Sequence, residues 1–192
     1  MGTWSNADAA GRPVVFGEVL FDCFEDDHSV LGGAPFNVAW HLQGFGVEPL
    51  LVSRIGDDDR GKQAIEAMQR WGMDTAGIQG DADHPTGTVR ISLSPEGHPD
   101  FDIVPDQAYD QIDWSQAEAV LANGQWNLLY HGSLITRNEV ARGALRAVRE
   151  QVDVPRFVDV NLRSPWWKRS SVAADLSDAT WAKLNDLELR EL

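Results

Sequence analysis

Short apolar runs alternate with amphipathic stretches along most of this chain, and that rhythm restricts the fold more than any single motif does. Val14-Val15-Phe16-Gly17-Glu18-Val19-Leu20 reads as a buried strand with Glu18 inside it. A helix follows Gly32-Gly33-Ala34-Pro35-Phe36-Asn37, with Ala39, Leu42 and Phe45 at helical spacing and Gly44 and Gly46 as its stop. Pro49 to Ile55 reads as a second strand. Gly61 to Trp71 reads as a helix with Ile65, Met68 and Trp71 on one face, ended by Gly72. Further on, Trp114 to Ala122 and Glu139 to Val152 read as helices, the second turning Val140, Ala144, Leu145 and Val148 inward. Trp126 to His131, Pro155 to Val160 and Ala179 to Leu184 read as strands, and Asn185-Asp186-Leu187-Glu188 opens a last helix. The fold class that follows is α/β: a mostly parallel sheet with helices on both faces.

From Thr86 the period changes to two. Val89, Ile91 and Leu93 alternate with Arg90, Ser92 and Ser94; Pro95 to Pro99 turns; Phe101 and Ile103 resume the alternation. This predicts a projecting hairpin over about 86–105 with one apolar face. A lone hairpin is marginal in water, so that face must cover the main body, a partner subunit or a ligand.

Several polar residues fall where such a sheet binds ligands. Asp22 follows the first strand, and open α/β sheets bind beyond the carboxyl ends of their strands. Gly32 and Gly33 let backbone approach a ligand closely, Pro35 suits the first helical turn, and Asn37 falls in that turn. Read alone, the loop serves equally as an ordinary strand-to-helix turn, and Asp22 as a turn or cap residue. The strand ending near Val160 delivers Asp159, Asn161 and Arg163, and Arg163 offers a planar fork of donors for phosphate or carboxylate, or a surface ion pair. In Gly56-Asp57-Asp58-Asp59-Arg60-Gly61 the aspartates read as helix caps rather than metal ligands. Trp166 and Trp167 read as packing residues.

Composition removes other classes. A net charge of −14 argues against a nucleic-acid binder, which needs a basic face. The single cysteine, Cys23, allows no internal disulfide and fits a reducing cytoplasm. The five histidines are scattered, without zinc spacing. No apolar run reaches membrane length, and residues 1–12 read as a disordered leader rather than a signal peptide. The chain lacks G-x-x-x-x-G-K-[ST], G-x-G-x-x-G after the first strand, and G-x-S-x-G, which leaves a P-loop, a dinucleotide-dependent oxidoreductase and a hydrolase elbow unsupported.

The motifs, in order, resemble the PfkB, or ribokinase-like, carbohydrate kinases. Gly32-Gly33-Ala34-Pro35-Phe36-Asn37-Val38-Ala39, with Gly46 and Gly56 downstream, is similar to that family's first signature. Gly17 to Asp22 resembles its first strand and sugar-binding aspartate. Thr86-Gly87-Thr88 with the hairpin resembles its lid. Asp159-Val160-Asn161-Leu162-Arg163 resembles the bacterial fructokinase form of a later strand, and Asn185 with Glu188 matches N-x-x-E. The resemblance covers Val14 to Leu192. It implies a ribokinase-like domain over 13–192 with a small β lid, and phosphoryl transfer from ATP to a sugar primary hydroxyl. Asp22, Gly32, Gly33 and Asn37 would bind the sugar. Arg163 and Asn185 would face phosphate or nucleotide, and Glu188 would serve Mg²⁺ through water. Partners would be the sugar and ATP, with lids pairing into a homodimer.

The family's second signature, which supplies the catalytic base and anion hole, is not in this sequence. The expectation is therefore a truncated, inactive chain with no catalytic base of its own, the base lying beyond Leu192. The alternative is a non-catalytic sugar-binding or scaffolding fragment of the same fold.

Overall fold

The computed structural model describes residues 11–26, 28–93 and 99–192. Ten strands and six α-helices run β1 (Arg12–Phe16), β2 (Leu20–Phe24), β3 (Ser29–Gly32), α1 (Ala34–Gly44), β4 (Leu50–Gly56), α2 (Asp59–Arg70), β5 (Ile78–Asp81), β6 (Gly87–Leu93), β7 (Pro99–Ile103), α3 (Trp114–Leu121), β8 (Trp126–Gly132), α4 (Glu139–Gln151), β9 (Arg156–Asp159), α5 (Arg169–Ser177), β10 (Trp181–Lys183) and α6 (Asp186–Glu191). Two short 3₁₀ turns, Ala108–Gln111 and Leu134–Arg137, precede α3 and α4.

Six strands form a parallel sheet in the order β10-β9-β8-β1-β4-β5. Neighbouring residues on its strands point to opposite faces, as the pleat requires. Val14, Phe16, Leu50, Val52 and Leu129 meet Leu121, Ala144, Leu145 and Val148 of α3 and α4 on one face. Val15, Leu51 and Tyr130 meet Phe36, Ala39, Ala64 and Met68 of α1 and α2 on the other. Val158 and Val160 are covered by Val172 of α5. The alternation read in the sequence thus yields the expected α/β layers.

A second sheet of four strands, β3-β2-β6-β7, carries the expected hairpin. Its pairs are antiparallel except β2 with β6, where Asp22 stands beside Val89. The hairpin's turn, residues 94–98, lies outside the described residues, as do residues 1–10 of the expected leader. Arg12 is not leader: it starts β1 and its guanidinium meets Asp74 at 2.7 Å.

Four sequence expectations need correction. The run Val14 to Leu20 is not one strand: it breaks after Phe16 and resumes as β2 in the other sheet. Asp22 therefore sits within β2 rather than past a strand end. Phe45, read as an inward helical residue, is 84% exposed at the C-terminal end of α1. Val140 of α4 is likewise exposed, and Ala141 turns inward in its place. Two strands, β3 and β5, and helix α5 were not read from the sequence at all.

Candidate functional site

Two glycines build the site. Gly17 adopts φ +155°, and a Cβ there would lie 2.3 Å from Pro35 Cγ, so only glycine lets the chain leave β1 under the start of α1. Gly33 adopts φ +107°, and its Cβ would lie 2.6 Å from the carbonyl oxygen of Glu18. The loop after β1 and the N-terminus of α1 are thereby pressed together. Pro35 takes the first turn, and the amide of Asn37 donates to the carbonyl of Gly33 at 2.8 Å. A Cβ on Gly32 would stand 3.3 Å from Asp22 Oδ2 and 4.0 Å from Asn37 Nδ2. Gly32, Asp22 and Asn37 are therefore neighbours, as the sequence predicts.

A cleft of about 200 Å³ opens there, with Glu18, Asp22, Gly33, Asn37, Asn161 and Arg163 as its polar wall. Leu20, Val89, Phe101, Ile103 and Leu134 supply the apolar wall. The lid's apolar face is thus the cleft's own lining, where Val89 and Ile103 are buried. A larger cavity of about 660 Å³ lies between α2 and the edge strand β5, but none of Asp22, Asn37 and Arg163 reaches it. The smaller cleft is where Asp22, Gly33, Asn37 and Arg163, nominated from the sequence, converge.

The electrostatics are uneven. Burial raises the carboxyl of Asp22, and the nearby charge of Arg163 draws it back. Arg163 itself lies over the ring of Phe101, 5.4 Å from its centre, and so spans from the loop after β9 to lid strand β7. Glu18 is fully buried, and burial pushes its carboxyl from an ordinary 4.5 to about 7 against the pull of its own amide, the Ala34 amide and Arg137. Its Oε2 has no hydrogen-bond partner. Asn161 was read at the end of its strand without a role, and Glu18 and Leu134 were not nominated from the sequence. For Glu18 the signal was present: an ionisable side chain inside an apolar run.

Both stems of the lid are pinned. Asp58 caps α2 by accepting from Gly61 N at 2.8 Å and also accepts from Thr86 N and Oγ1, each at 2.8 Å. Burial would raise its carboxyl, but the amides of Thr86 and Gly61 hold it below its ordinary value. The capping role read for this aspartate is what the fold uses. At the other stem, Arg137 grips Asp110 at 2.8 and 2.6 Å and donates to the carbonyl of Val104 at 2.9 Å. Its guanidinium is sandwiched between Tyr109 and Trp166, 5.0 and 4.8 Å from their ring centres.

Asn185 and Glu188 do not reach this cleft. They form a capping box on α6: Asn185 Oδ1 accepts from Glu188 N at 2.8 Å, and Glu188 Oε2 accepts from Asn185 N at 2.9 Å. Glu188 Oε1 accepts from Leu162 N at 3.0 Å, so both carboxylate oxygens are committed to backbone. Among the described residues no group of three or more histidine, cysteine or acidic side chains could hold a metal ion. Asp159 is also committed, to Tyr130 Oη at 3.1 Å and Lys183 Nζ at 2.9 Å.

A parallel α/β sheet and a small β sheet thus enclose a cleft with acidic and amide groups at a glycine-bounded helix start. The profile described as pfkB family carbohydrate kinase matches residues 14–192, and the chain belongs to that family. A putative sugar kinase of Pyrococcus horikoshii is 31% identical over 175 residues, covering 82% of this chain and 54% of that protein. A probable fructokinase-2 of Arabidopsis thaliana is 26% identical over 212 residues, covering 99% of this chain and 64% of that protein. The chain thus spans less than two-thirds of the length of these relatives. The solved structure of the Pyrococcus sugar kinase superposes with a TM-score of 0.80 at 26% identity, covering 94% of this chain and 67% of the other. A fructokinase of Xylella fastidiosa with bound ATP superposes with a TM-score of 0.83 at 21% identity, covering 94% and 60%. The fold is ribokinase-like, with its mostly parallel sheet flanked by helices. No helix among the described residues is long and apolar enough to cross a membrane.

Proposed function

We propose that this chain is the acceptor-binding part of an ATP-dependent sugar kinase, most like the fructokinases, in the cytoplasm. The observation that carries this reading is the convergence of Asp22 and Asn37 on Gly32 and Gly33 under the lid. Asp22 accepts hydrogen bonds from sugar hydroxyls; bonds to a carboxylate are roughly twice as strong as neutral ones. The Asn37 amide adds a donor and an acceptor. Glu18, held protonated toward neutral pH, donates to a further hydroxyl. Leu20, Val89 and Leu134 pack on the carbon skeleton, and the lid excludes water that would compete as acceptor. Arg163 meets the incoming phosphate or another anionic group on the substrate.

Magnesium with ATP would supply charge neutralisation on the transferred phosphoryl group. Glu188 would reach that ion only through water, and no step is assigned to it or to Asn185. The base that takes the hydroxyl proton, and the backbone amides that cradle developing charge, are expected beyond Leu192. Losing a general base typically costs about 10²–10⁴-fold, and losing one anion-hole donor costs on the order of 10²–10³-fold. The 192-residue chain alone would bind sugar without turning over. Exposed Phe24, Val30 and Phe101 on the lid support its pairing with a second lid in a homodimer.

A coupled ADP-release assay with fructose and Mg-ATP tests the division of labour. No sugar-dependent turnover is expected from residues 1–192. Turnover at a rate typical of a kinase would place the chemistry within this chain.

A further inference from the structure

We infer that the cavity between α4 and α5 is a second ligand site, for a small phosphate-bearing ligand. The cavity has a volume of about 290 Å³ and shares no lining residue with the sugar cleft. Arg142, Arg146 and Arg149 line it from α4. Their spacing of four and three residues puts them on one helix face. The chain holds 30 acidic and only 16 basic side chains, so three arginines around one hollow are not a sample of the general surface. The cavity's own wall contains a single carboxylate, Asp175.

The donors are only partly used. Arg146 is exposed and makes no ion pair among the described residues. Arg142 pairs with Glu139 at 2.9 Å, and its buried Nε has no partner. Arg149 is fixed by Asp175 Oδ1 at 2.7 Å and by the ring Nε2 of His131 at 2.6 Å, and its Nε is also unpartnered. Burial and the Arg149 charge hold His131 neutral, so that ring nitrogen can accept. Ser170 and Ser171 face the cavity from the first turn of α5, whose N-terminus carries no side-chain cap. The first amides of such a helix have no partner within it and favour negative charge. Fixed guanidinium groups, two hydroxyls and an uncapped helix start converge on one small volume, which is the donor set a phosphate takes.

The test is a calorimetric titration of the 192-residue chain with glycerol 3-phosphate, inorganic phosphate and glycerol. Saturable binding of glycerol 3-phosphate and of inorganic phosphate at millimolar concentration is expected, with none for glycerol. Arg146→Ala should weaken it by about tenfold or more, the scale of one charge-assisted hydrogen bond. The unfolding midpoint should not move, because Arg146 is exposed, and Asp22→Ala should leave the affinity unchanged. The absence of saturable binding overturns the site. So does binding that survives Arg146→Ala and is lost in Arg163→Ala, which would put the anion in the sugar cleft. None of these outcomes depends on the kinase reading.

Discussion

Arg163, on the loop after β9, places its guanidinium 5.4 Å from the centre of the Phe101 ring on lid strand β7. This contact spans the cleft between the two sheets, and the same charge acts on Asp22. Arg163→Ala should therefore raise the Asp22 carboxyl further, since burial would then act unopposed. Carboxyl chemical shifts followed against pH give the answer. An unchanged Asp22 titration would mean that Arg163 does not face the cleft in solution.

Glu18 makes a pH prediction. Its folded pKa of about 7 exceeds the ordinary 4.5, so in that window the folded chain holds a proton that the unfolded chain has released. Stability falls as pH rises from 4.5 to about 7, by about 3 kcal/mol at most. His131 acts oppositely: lowered from 6.5 to about 4, it leaves the unfolded chain with the extra proton, and stability rises with pH through that window. The two nearly cancel below pH 6.5. Glu18→Gln should thus be more stable than wild type at pH 8 and equal to it at pH 4.5. Urea unfolding at both pH values checks this, and a loss of stability at pH 8 would contradict the buried-carboxyl assignment.

The Arg137–Asp110 pair is buried at the lid's return stem. Removing one partner of such a pair strands a charge and typically costs about 3–5 kcal/mol. Asp110→Asn should shift the urea midpoint by that amount and speed amide exchange near Val104, whose carbonyl Arg137 holds. A midpoint shift below about 1 kcal/mol, the scale of an exposed pair, would contradict it.

At the opposite stem, Asp58→Ala removes the cap of α2 and both bonds to Thr86. A lost N-cap costs about 0.5–2 kcal/mol, and β6 should exchange its amides faster from Gly87 onward. Faster exchange confined to α2 would show that Asp58 does not hold the lid.

Much of this was legible in the sequence because burial imposes period. The parallel core, α4 and the lid hairpin all follow from where apolar residues recur. Gly32, Gly33 and Asn37 were nominated because glycines and a proline mark where backbone must turn closely, and Asp22 and Arg163 because each was read at a strand end; Asp22, Gly33, Asn37 and Arg163 line one cleft. What was not legible depends on tertiary context. The run from Val14 to Leu20 is apolar on both sides of Gly17-Glu18 because each half is buried, the first in one sheet and the second leading into the other, so composition could not show the break that Gly17 makes. Trp71 keeps its helical spacing yet stays exposed, stacked on Trp40 with ring centres 5.1 Å apart. Helix α5 carries polar residues on most sides and gave no stripe. The Asn185–Glu188 spacing that the resemblance ties to magnesium is also that of a capping box, and the partner amides of that box became visible only in the fold.

The most direct measurement of the central claim is calorimetric titration of D-fructose into the 192-residue chain and its Asp22→Ala variant. Saturable binding by the first is predicted, weakened in the second by roughly 1.5–3 kcal/mol, the scale of a charge-assisted hydrogen bond, with the fold unchanged by circular dichroism. Fructose affinity that Asp22→Ala leaves intact would contradict the assignment of this cleft as the sugar site.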